Sequence, residues 1–245
     1  MGYHWTADLF TYGSATKGYK AGGFNTTAPE DKTIFSPETS WDYEVGAKSS
    51  WLKNHFIVNA DLFYIDWSHQ QLDVPTGEPS VYYIDNVGSS TSKGAELEAT
   101  LRPLQNWDIF GGIGYTNAQF SHYLQPSGVN ADGNQLPFAP NITWNVGSQY
   151  TLPLRASLRT WVRAEVLGTG RYFYDASNAA SQSDYIVANF RLGIGGDHWR
   201  LEGFIDNAFN THYVPIAYPF PLAASGYVGE NGAPQTVGMR LGFSY

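Results

Sequence analysis

The chain has 245 residues, a formal net charge of -8 and only 15% charged residues; it is rich in Gly, Tyr, Trp and Phe and holds no Cys. This composition argues against nucleic-acid binding, which relies on clustered Lys and Arg, and excludes a disulfide framework and thiolate metal sites. The length suits one large all-β domain or two small ones, and no window approaches the roughly 20 apolar residues of a membrane-crossing helix.

About ten strand-like segments are expected, bounded by clusters of Gly, Pro, Asn and Asp. They lie near 3–19, 39–52, 54–71, 81–102, 106–122, 140–152, 155–173, 184–195, 198–208 and 235–245. Many exceed the roughly 5–6 residues of an average soluble strand. Short connections fall at Leu52-Lys53-Asn54, Pro103-Leu104-Gln105-Asn106, Pro153-Leu154 and Gly195-Gly196-Asp197. Long ones cover about 20–38, 72–80, 123–139, 174–183 and 209–234. Alternating short and long connections are the rule in outer-membrane barrels, with short periplasmic turns and long extracellular loops.

The strands carry two unlike faces, because successive side chains point to opposite sides. Phe56, Val58, Ala60, Leu62 and Tyr64 oppose Asn59 and Asp61, and Ala95, Leu97, Ala99 and Leu101 oppose Glu96, Glu98 and Thr100. Trp144, Val146, Tyr150 and Leu152 oppose Asn145, Gly147, Gln149 and Thr151. Ile186, Ala188, Phe190, Leu192 and Ile194 oppose Asn189 and Arg191. The segment 106–116 is ambiguous, with Gly and apolar groups on both faces. Trp51, Trp107 and Trp199 sit beside short turns, as an interfacial aromatic girdle would. At the C-terminus Val237, Met239, Leu241, Phe243 and Tyr245 share one face against Thr236, Gly238, Arg240, Gly242 and Ser244. Apolar-out, polar-in alternation running to a terminal aromatic is the pattern of an outer-membrane β-barrel, placing the chain in the bacterial outer membrane in contact with lipid. Met1-Gly2-Tyr3-His4-Trp5 has no basic region followed by an apolar run, so the secretory signal such a protein needs is either removed or encoded before an internal Met1.

Six segments resemble those of TonB-dependent outer-membrane receptors, in that family's order. They are Lys17-Gly18-Tyr19-Lys20-Ala21-Gly22-Gly23-Phe24-Asn25; Pro37-Glu38 with Tyr43-Glu44-Val45-Gly46-Ala47-Lys48; Asn86-Val87-Gly88 with Lys93-Gly94-Ala95-Glu96-Leu97-Glu98; Gly133-Asn134-Gln135-Leu136-Pro137-Phe138-Ala139-Pro140; Asp206-Asn207-Ala208-Phe209-Asn210 with Tyr213; and the terminal strand. The resemblance implies a 22-stranded antiparallel up-and-down barrel around an N-terminal plug. It implies energy from a periplasmic coupling protein, TonB, and substrates such as ferric siderophores, haem, cobalamin or glycans. The chain departs from that pattern in carrying about ten strands and no plug, coupling box or first barrel half. Residues 1–245 are therefore expected to be the C-terminal portion of such a barrel, with import belonging to the complete form.

No catalytic constellation, metal site or cofactor is expected. Glu96 and Glu98 share a strand face and could do acid–base work, but with Arg191 and Arg240 they read better as a lumen wall, alongside Arg159, Arg163, Glu165, Arg200, Glu202 and Asp206. Of the six histidines, His69, His122 and His212 fall near upper strand ends or long loops, where haem ligation is conceivable. Asp132-Gly133-Asn134 lacks the remaining ligands of a calcium loop and reads as a turn. Gly111-Gly112-Ile113-Gly114 matches no nucleotide fingerprint.

Substrate contact is expected from the last loop, through Tyr218, Phe220 and Tyr227 among prolines, and from Tyr82, Tyr83, Tyr123, Tyr172 and Tyr174. Tyrosines serve both apolar and hydrogen-bonding ligands; loops packing on one another would use the same residues. Two rival readings stay open. One is a self-contained ten-stranded pore or protease-like barrel, for which Asp66 and His69 offer an Asp–His pair but no acidic pair is evident beside it; the other is a soluble β-sandwich.

Overall fold

A computed structural model describes residues 1–26, 28–76, 78, 81–125 and 127–244. Gly77, Pro79 and Ser80, within the expected connection 72–80, and the terminal aromatic Tyr245 lie outside the described residues. One 11-stranded sheet dominates, its strands paired in chain order. They are β1 (Gly2–Thr6), β2 (Leu9–Lys20), β3 (Glu38–Trp51), β4 (Phe56–Ser68), β5 (Ser89–Leu104), β6 (Trp107–His122), β7 (Ile142–Arg155), β8 (Leu158–Thr169), β9 (Tyr185–Gly195), β10 (Trp199–Asp206) and β11 (Thr236–Phe243). Every pair is antiparallel.

The eleventh strand arises because 3–19 is two strands, not one. A turn at Ala7-Asp8 separates them, and the Asp8 N–H donates to Thr6 Oγ1 at 3.1 Å. Asp8 is a turn former, but it stands alone between Ala7 and Leu9 and not in a cluster, so the run carries no clear break. Two other boundaries move. The chain extends through Pro153-Leu154 and turns at Ala156-Ser157. The expected strand 81–102 divides at Val87-Gly88, where Gly88 is left-handed (φ 59°) and a Cβ would run into the His122 carbonyl oxygen. Leu52, Lys53 and Asn54 all have positive φ, a tight turn that only the Asn advertises.

The strand faces follow the alternation read in the sequence. Tyr12, Gly46, Asp61, Glu96, Gly114 and Thr143 are successive cross-strand partners on the polar face. The adjoining row, Thr11, Ala47, Ala60, Leu97, Ile113, Trp144, Gly168 and Ile186, lies on the apolar face. Pairing also settles the ambiguous strand: Ile113 and Tyr115 are on the apolar face, and Gly112 and Gly114 on the polar one. The apolar face is open to the surroundings, with Leu62, Val146 and Leu192 at 58%, 48% and 64% exposure. A water-soluble protein would bury such a face; a lipid-embedded one need not. Trp51, Trp107 and Trp199 stand on this face at the short-turn end. Trp41 lies ten residues from Trp51 on the same strand. At about 3.3 Å per residue and a tilt near 40°, the two rings are about 25 Å apart along the membrane normal, the height of a barrel's apolar band.

The sheet is open. Its edges are β1 and β11, and both run toward the short-turn end. Buried groups concentrate at the opposite end, where Ala118 and Phe120 pack under Tyr123, Ala131 and Leu136.

Candidate functional site

All five long connections emerge at one end of the sheet: loop 1 (21–37), loop 2 (69–88), loop 3 (123–141), loop 4 (170–184) and loop 5 (207–235). Four contain a small hairpin: Gly23–Phe24 with Ile34–Phe35, Gln71–Pro75 with Tyr82–Asn86, Tyr172–Phe173 with Ser181–Gln182, and Ile216–Pro219 with Tyr227–Glu230. Side-chain amides join them edge to edge. Asn25 of loop 1 both donates to and accepts from the Ile84 backbone of loop 2, at 2.8 and 2.9 Å. Asn178 of loop 4 does the same with Gln135 of loop 3, at 2.9 and 2.8 Å. Lys32 and Asp85 add an ion pair at 2.7 Å, which raises the lysine's pKa.

Loops 4 and 5 are joined by tyrosines. The Tyr172 and Tyr174 hydroxyls donate to the Val214 carbonyl at 3.2 and 2.8 Å, and the Tyr227 hydroxyl donates to Asp175 at 2.9 Å. Asp175 also accepts the N–H groups of Ser177, Ala179 and Ala180, so one carboxylate both shapes the loop 4 turn and holds loop 5. At the base of loop 5, Asn207 is only 3% exposed and left-handed (φ 50°). Its amide donates to the Thr211 and Ala233 carbonyls and accepts the Thr211 N–H.

Burial pushes the Tyr172 phenol up to about 12, and burial with the Asp175 hydrogen bond does the same for Tyr227. A phenol raised in the folded state contributes its full stability below the ordinary value near 10 and loses it as pH climbs to about 12. Loops 4 and 5 are therefore expected to separate between about pH 10 and 12. Proteolytic nicking in 170–184 should rise in step with tyrosinate absorbance; nicking that is flat across that window would show that these phenols do not hold the loops.

The eight aromatic candidates divide by position. Tyr123, Tyr172 and Tyr174 are buried and packed between loops. Tyr83, Phe220 and Tyr227 are half-buried. Tyr218 and Tyr82 are exposed, and the Tyr82 hydroxyl donates to the Pro219 carbonyl, joining loops 2 and 5. Phe138 belongs with them although it was not singled out in the sequence. Its ring lies 6.0 Å from Tyr218 and 6.1 Å from Tyr174, and it is 39% exposed. A left-handed backbone (φ 59°) is a strained state for so bulky a residue; the Phe173 carbonyl accepts its N–H at 2.8 Å. The outcome is an exposed aromatic surface, Tyr82, Phe138 and Tyr218, above a base of buried, hydrogen-bonded loop residues.

His69 and His212 are exposed and apart, and among the described residues no three His, Asp or Glu side chains converge as a metal site. Asp132 shapes a turn. The Tyr123 N–H bonded to it at 2.7 Å holds its carboxyl below the usual range, and His122 lies 3.5 Å away.

Glu96, Glu98, Arg191 and Arg240 all lie on the polar face. Charge there is segregated. The β3–β5 side carries Glu44, Asp61, Glu96 and Glu98 against Lys48, and Asp61 directly opposes Glu96. On the β8–β11 side Arg163 pairs with Glu165, Arg191 with Asp206, and Arg240 with Glu202 at 3.7 Å. Phe204 lies flat over Gly238, where a Cβ would strike its ring, and both Arg191 and Arg240 sit over it.

Comparison with known proteins places these features. A family profile described as TonB dependent receptor-like, beta-barrel, matches residues 1–208. A curated relative, the probable TonB-dependent siderophore receptor PiuA of Acinetobacter baumannii, is 24% identical over 236 residues, covering 91% of this chain and 29% of its own length. Among solved structures, the ferric yersiniabactin uptake receptor FyuA of Yersinia pestis superposes with a TM-score of 0.82 at 24% identity, over 100% of this chain and 36% of its own. The ferric preacinetobactin receptor BauA of Acinetobacter baumannii gives 0.71 at 18% identity, over 97% and 34%. The chain thus spans about a third of the length of the proteins it resembles.

Proposed function

Because the chain belongs to the TonB-dependent receptor β-barrel family and so to the bacterial outer membrane, we propose that it is the C-terminal portion of a receptor barrel that captures a ferric siderophore at the cell surface. The exposed aromatic surface of Tyr82, Phe138 and Tyr218 carries this reading, together with the siderophore receptors among its relatives. Loops capture the complex, and a plug within the completed barrel, pulled by TonB, releases it inward. No covalent step is required of this chain.

Strand direction supports a partial barrel. Closing β1 directly onto β11 would pair two strands that both descend, hence in parallel, whereas every pair within the sheet is antiparallel. Antiparallel completion needs an ascending strand on each edge, and so an odd number of further strands. Eleven strands arranged this way do not make the self-contained ten-stranded barrel. The plug would face the polar side, basic groups toward Glu44, Asp61 and Glu96 and acidic groups toward Arg200 and Arg240.

The test is iron uptake by iron-starved cells carrying or lacking the natural gene, supplied with ferric yersiniabactin or ferric preacinetobactin. Uptake of at least one complex only with the gene supports the reading, and equal uptake of both with and without it contradicts it. Combining Phe138→Ala and Tyr218→Ala should weaken binding of the imported complex by about three- to tenfold, the value of one aromatic contact. The amount of folded receptor should not change; an unchanged affinity would remove these rings from the site.

A further inference from the structure

Five aromatic rings on the polar face lie over glycines: Tyr12 over Gly46, Phe63 over Gly94, Phe110 over Gly147, Trp161 over Gly193 and Phe204 over Gly238. A Cβ on any of these glycines would run into the ring, and at Gly94 into the Tyr115 carbonyl oxygen as well. In each case ring and glycine are direct cross-strand partners. The pairs fall in β2–β3, β4–β5, β6–β7, β8–β9 and β10–β11, the hairpins closed by the five long loops, with the ring always on the strand that enters the loop. Among the described residues no short-turn hairpin has such a pair on this face: Gly2 pairs with Tyr12 but lies under Phe10. Trp144 covers its partner Gly168 in the β7–β8 hairpin, but on the apolar face. Polar neighbours hold the rings in place. The Lys48 ammonium is 5.8 Å from the centre of the Tyr12 ring, the Arg163 guanidinium 4.5 Å from Phe110, and those of Arg191 and Arg240 5.5 and 4.6 Å from Phe204. The Tyr12 hydroxyl donates to Glu44, and the Trp161 indole N–H donates to Glu202 at 3.3 Å.

A tight turn fixes the register of its hairpin. Loops as long as 170–184 and 207–235 cannot, because two residues more or less barely change the entropy of closing them. Alternation forbids a slip of one residue, which would turn every side chain to the other face, but a slip of two keeps both faces. Such a slip would set Tyr12 against Glu44 or Lys48, Phe63 against Ser92 or Glu96, Phe110 against Asn145 or Gln149, and Phe204 against Thr236 or Arg240. None of these offers the bare backbone that the ring now covers. Trp161 alone would meet another glycine, Gly195, on sliding one way.

We propose that the five ring-over-glycine pairs are register clasps, each fixing the strand pairing of a hairpin whose loop is too long to fix it. Short turns set alternate registers along the sheet, and the clasps set the others. The summed register determines a barrel's shear, and with it strand tilt and diameter, so the clasps define the width of the barrel this sheet helps to form. The proposal needs the barrel fold and is independent of what the loops capture.

The test uses the β10–β11 hairpin of the natural full-length protein, because a Cβ at Gly238 meets only the far end of the Phe204 ring. Ile205 and Val237 are direct partners, and a two-residue slip would bring Met239 to the place of Val237. A disulfide needs Cα atoms within about 7 Å. Ile205→Cys with Val237→Cys therefore bridges in the observed register, and Ile205→Cys with Met239→Cys in the slipped one. Oxidised in outer membranes and read against the unsubstituted protein, the first pair should bridge about tenfold more than the second. Adding Phe204→Leu or Gly238→Ala should raise the 205–239 bridge by about threefold or more. Ring removal in a short-turn hairpin, Phe10→Leu, should leave a Tyr3→Cys/Thr11→Cys bridge unchanged. A 205–239 bridge that stays at its original level in both variants, or a 3–11 bridge lost with Phe10→Leu, would overturn the proposal. Should neither β10–β11 variant assemble, Phe204→Tyr decides: it keeps a ring over Gly238 and must restore both assembly and the 205–237 bridge, and its failure would overturn the proposal as well.

Discussion

Leu97→Arg is expected to destabilise the membrane-inserted protein by about 2–4 kcal/mol, the cost of an arginine on a barrel's lipid face at mid-depth. Leu97 is in the row of Ala47, Ala60 and Ile113, close to midway between Trp41 and Trp51. Its side chain is 45% exposed, so the substitution meets no steric obstacle and the effect reports the surroundings alone. Glu98→Arg, one residue along, supplies the control. Its side chain lies on the polar face near Asp61 and Glu96, where a positive charge relieves like-charge repulsion. Urea unfolding in lipid vesicles checks both variants. If Leu97→Arg were as mild as Glu98→Arg, the apolar face would not be in lipid.

Asn207→Asp is expected to open loop 5 at its base. The two side chains have nearly the same shape, but a carboxylate cannot donate to the Thr211 and Ala233 carbonyls that the amide now satisfies. Two buried acceptors lose their partner and a charge is introduced beside them, at a cost of about 2–4 kcal/mol. Amide exchange across 207–235 should quicken by about thirty- to several-hundred-fold, while β9 and β10 change little. Because Tyr218 rides on this loop, affinity for the captured complex should fall with it. Unchanged exchange would mean that the tyrosine contacts to Val214 and Asp175 hold the loop without Asn207.

Alternation in Phe56–Tyr64 and Ala95–Leu101 made the sheet legible, since a period of two places every charge on one side. Long loops against short turns made its orientation legible as well. The Ala7-Asp8 turn was not, because alternation continues across it and Thr6 caps it with a side chain that is common inside strands. In the loops, tyrosines are visible as ligand-friendly residues, yet nothing local tells Tyr218, which is exposed, from Tyr172 and Tyr174, which are buried. Their fates depend on partners 40 or more residues away, such as the Val214 carbonyl. Phe138 lies within a motif, but nothing local marks it as a contact, because its N–H is bonded by the Phe173 carbonyl of another loop. Asn25, Asn178 and Asn207 had a signal that could have been used: asparagine is the residue that most readily combines a tight turn with a backbone-like amide.

This chain holds no cysteine, so the most direct measurement places single cysteines in it and reads them against the unsubstituted protein, with a membrane-impermeant maleimide as the label in intact cells. Tyr218→Cys should label at once. Lys53→Cys should label only after the outer membrane is permeabilised, and Leu97→Cys in neither state. Labelling of position 53 in intact cells, or of position 97 by the water-soluble reagent, would contradict a sheet that spans the outer membrane with its long loops outside and its apolar face in lipid.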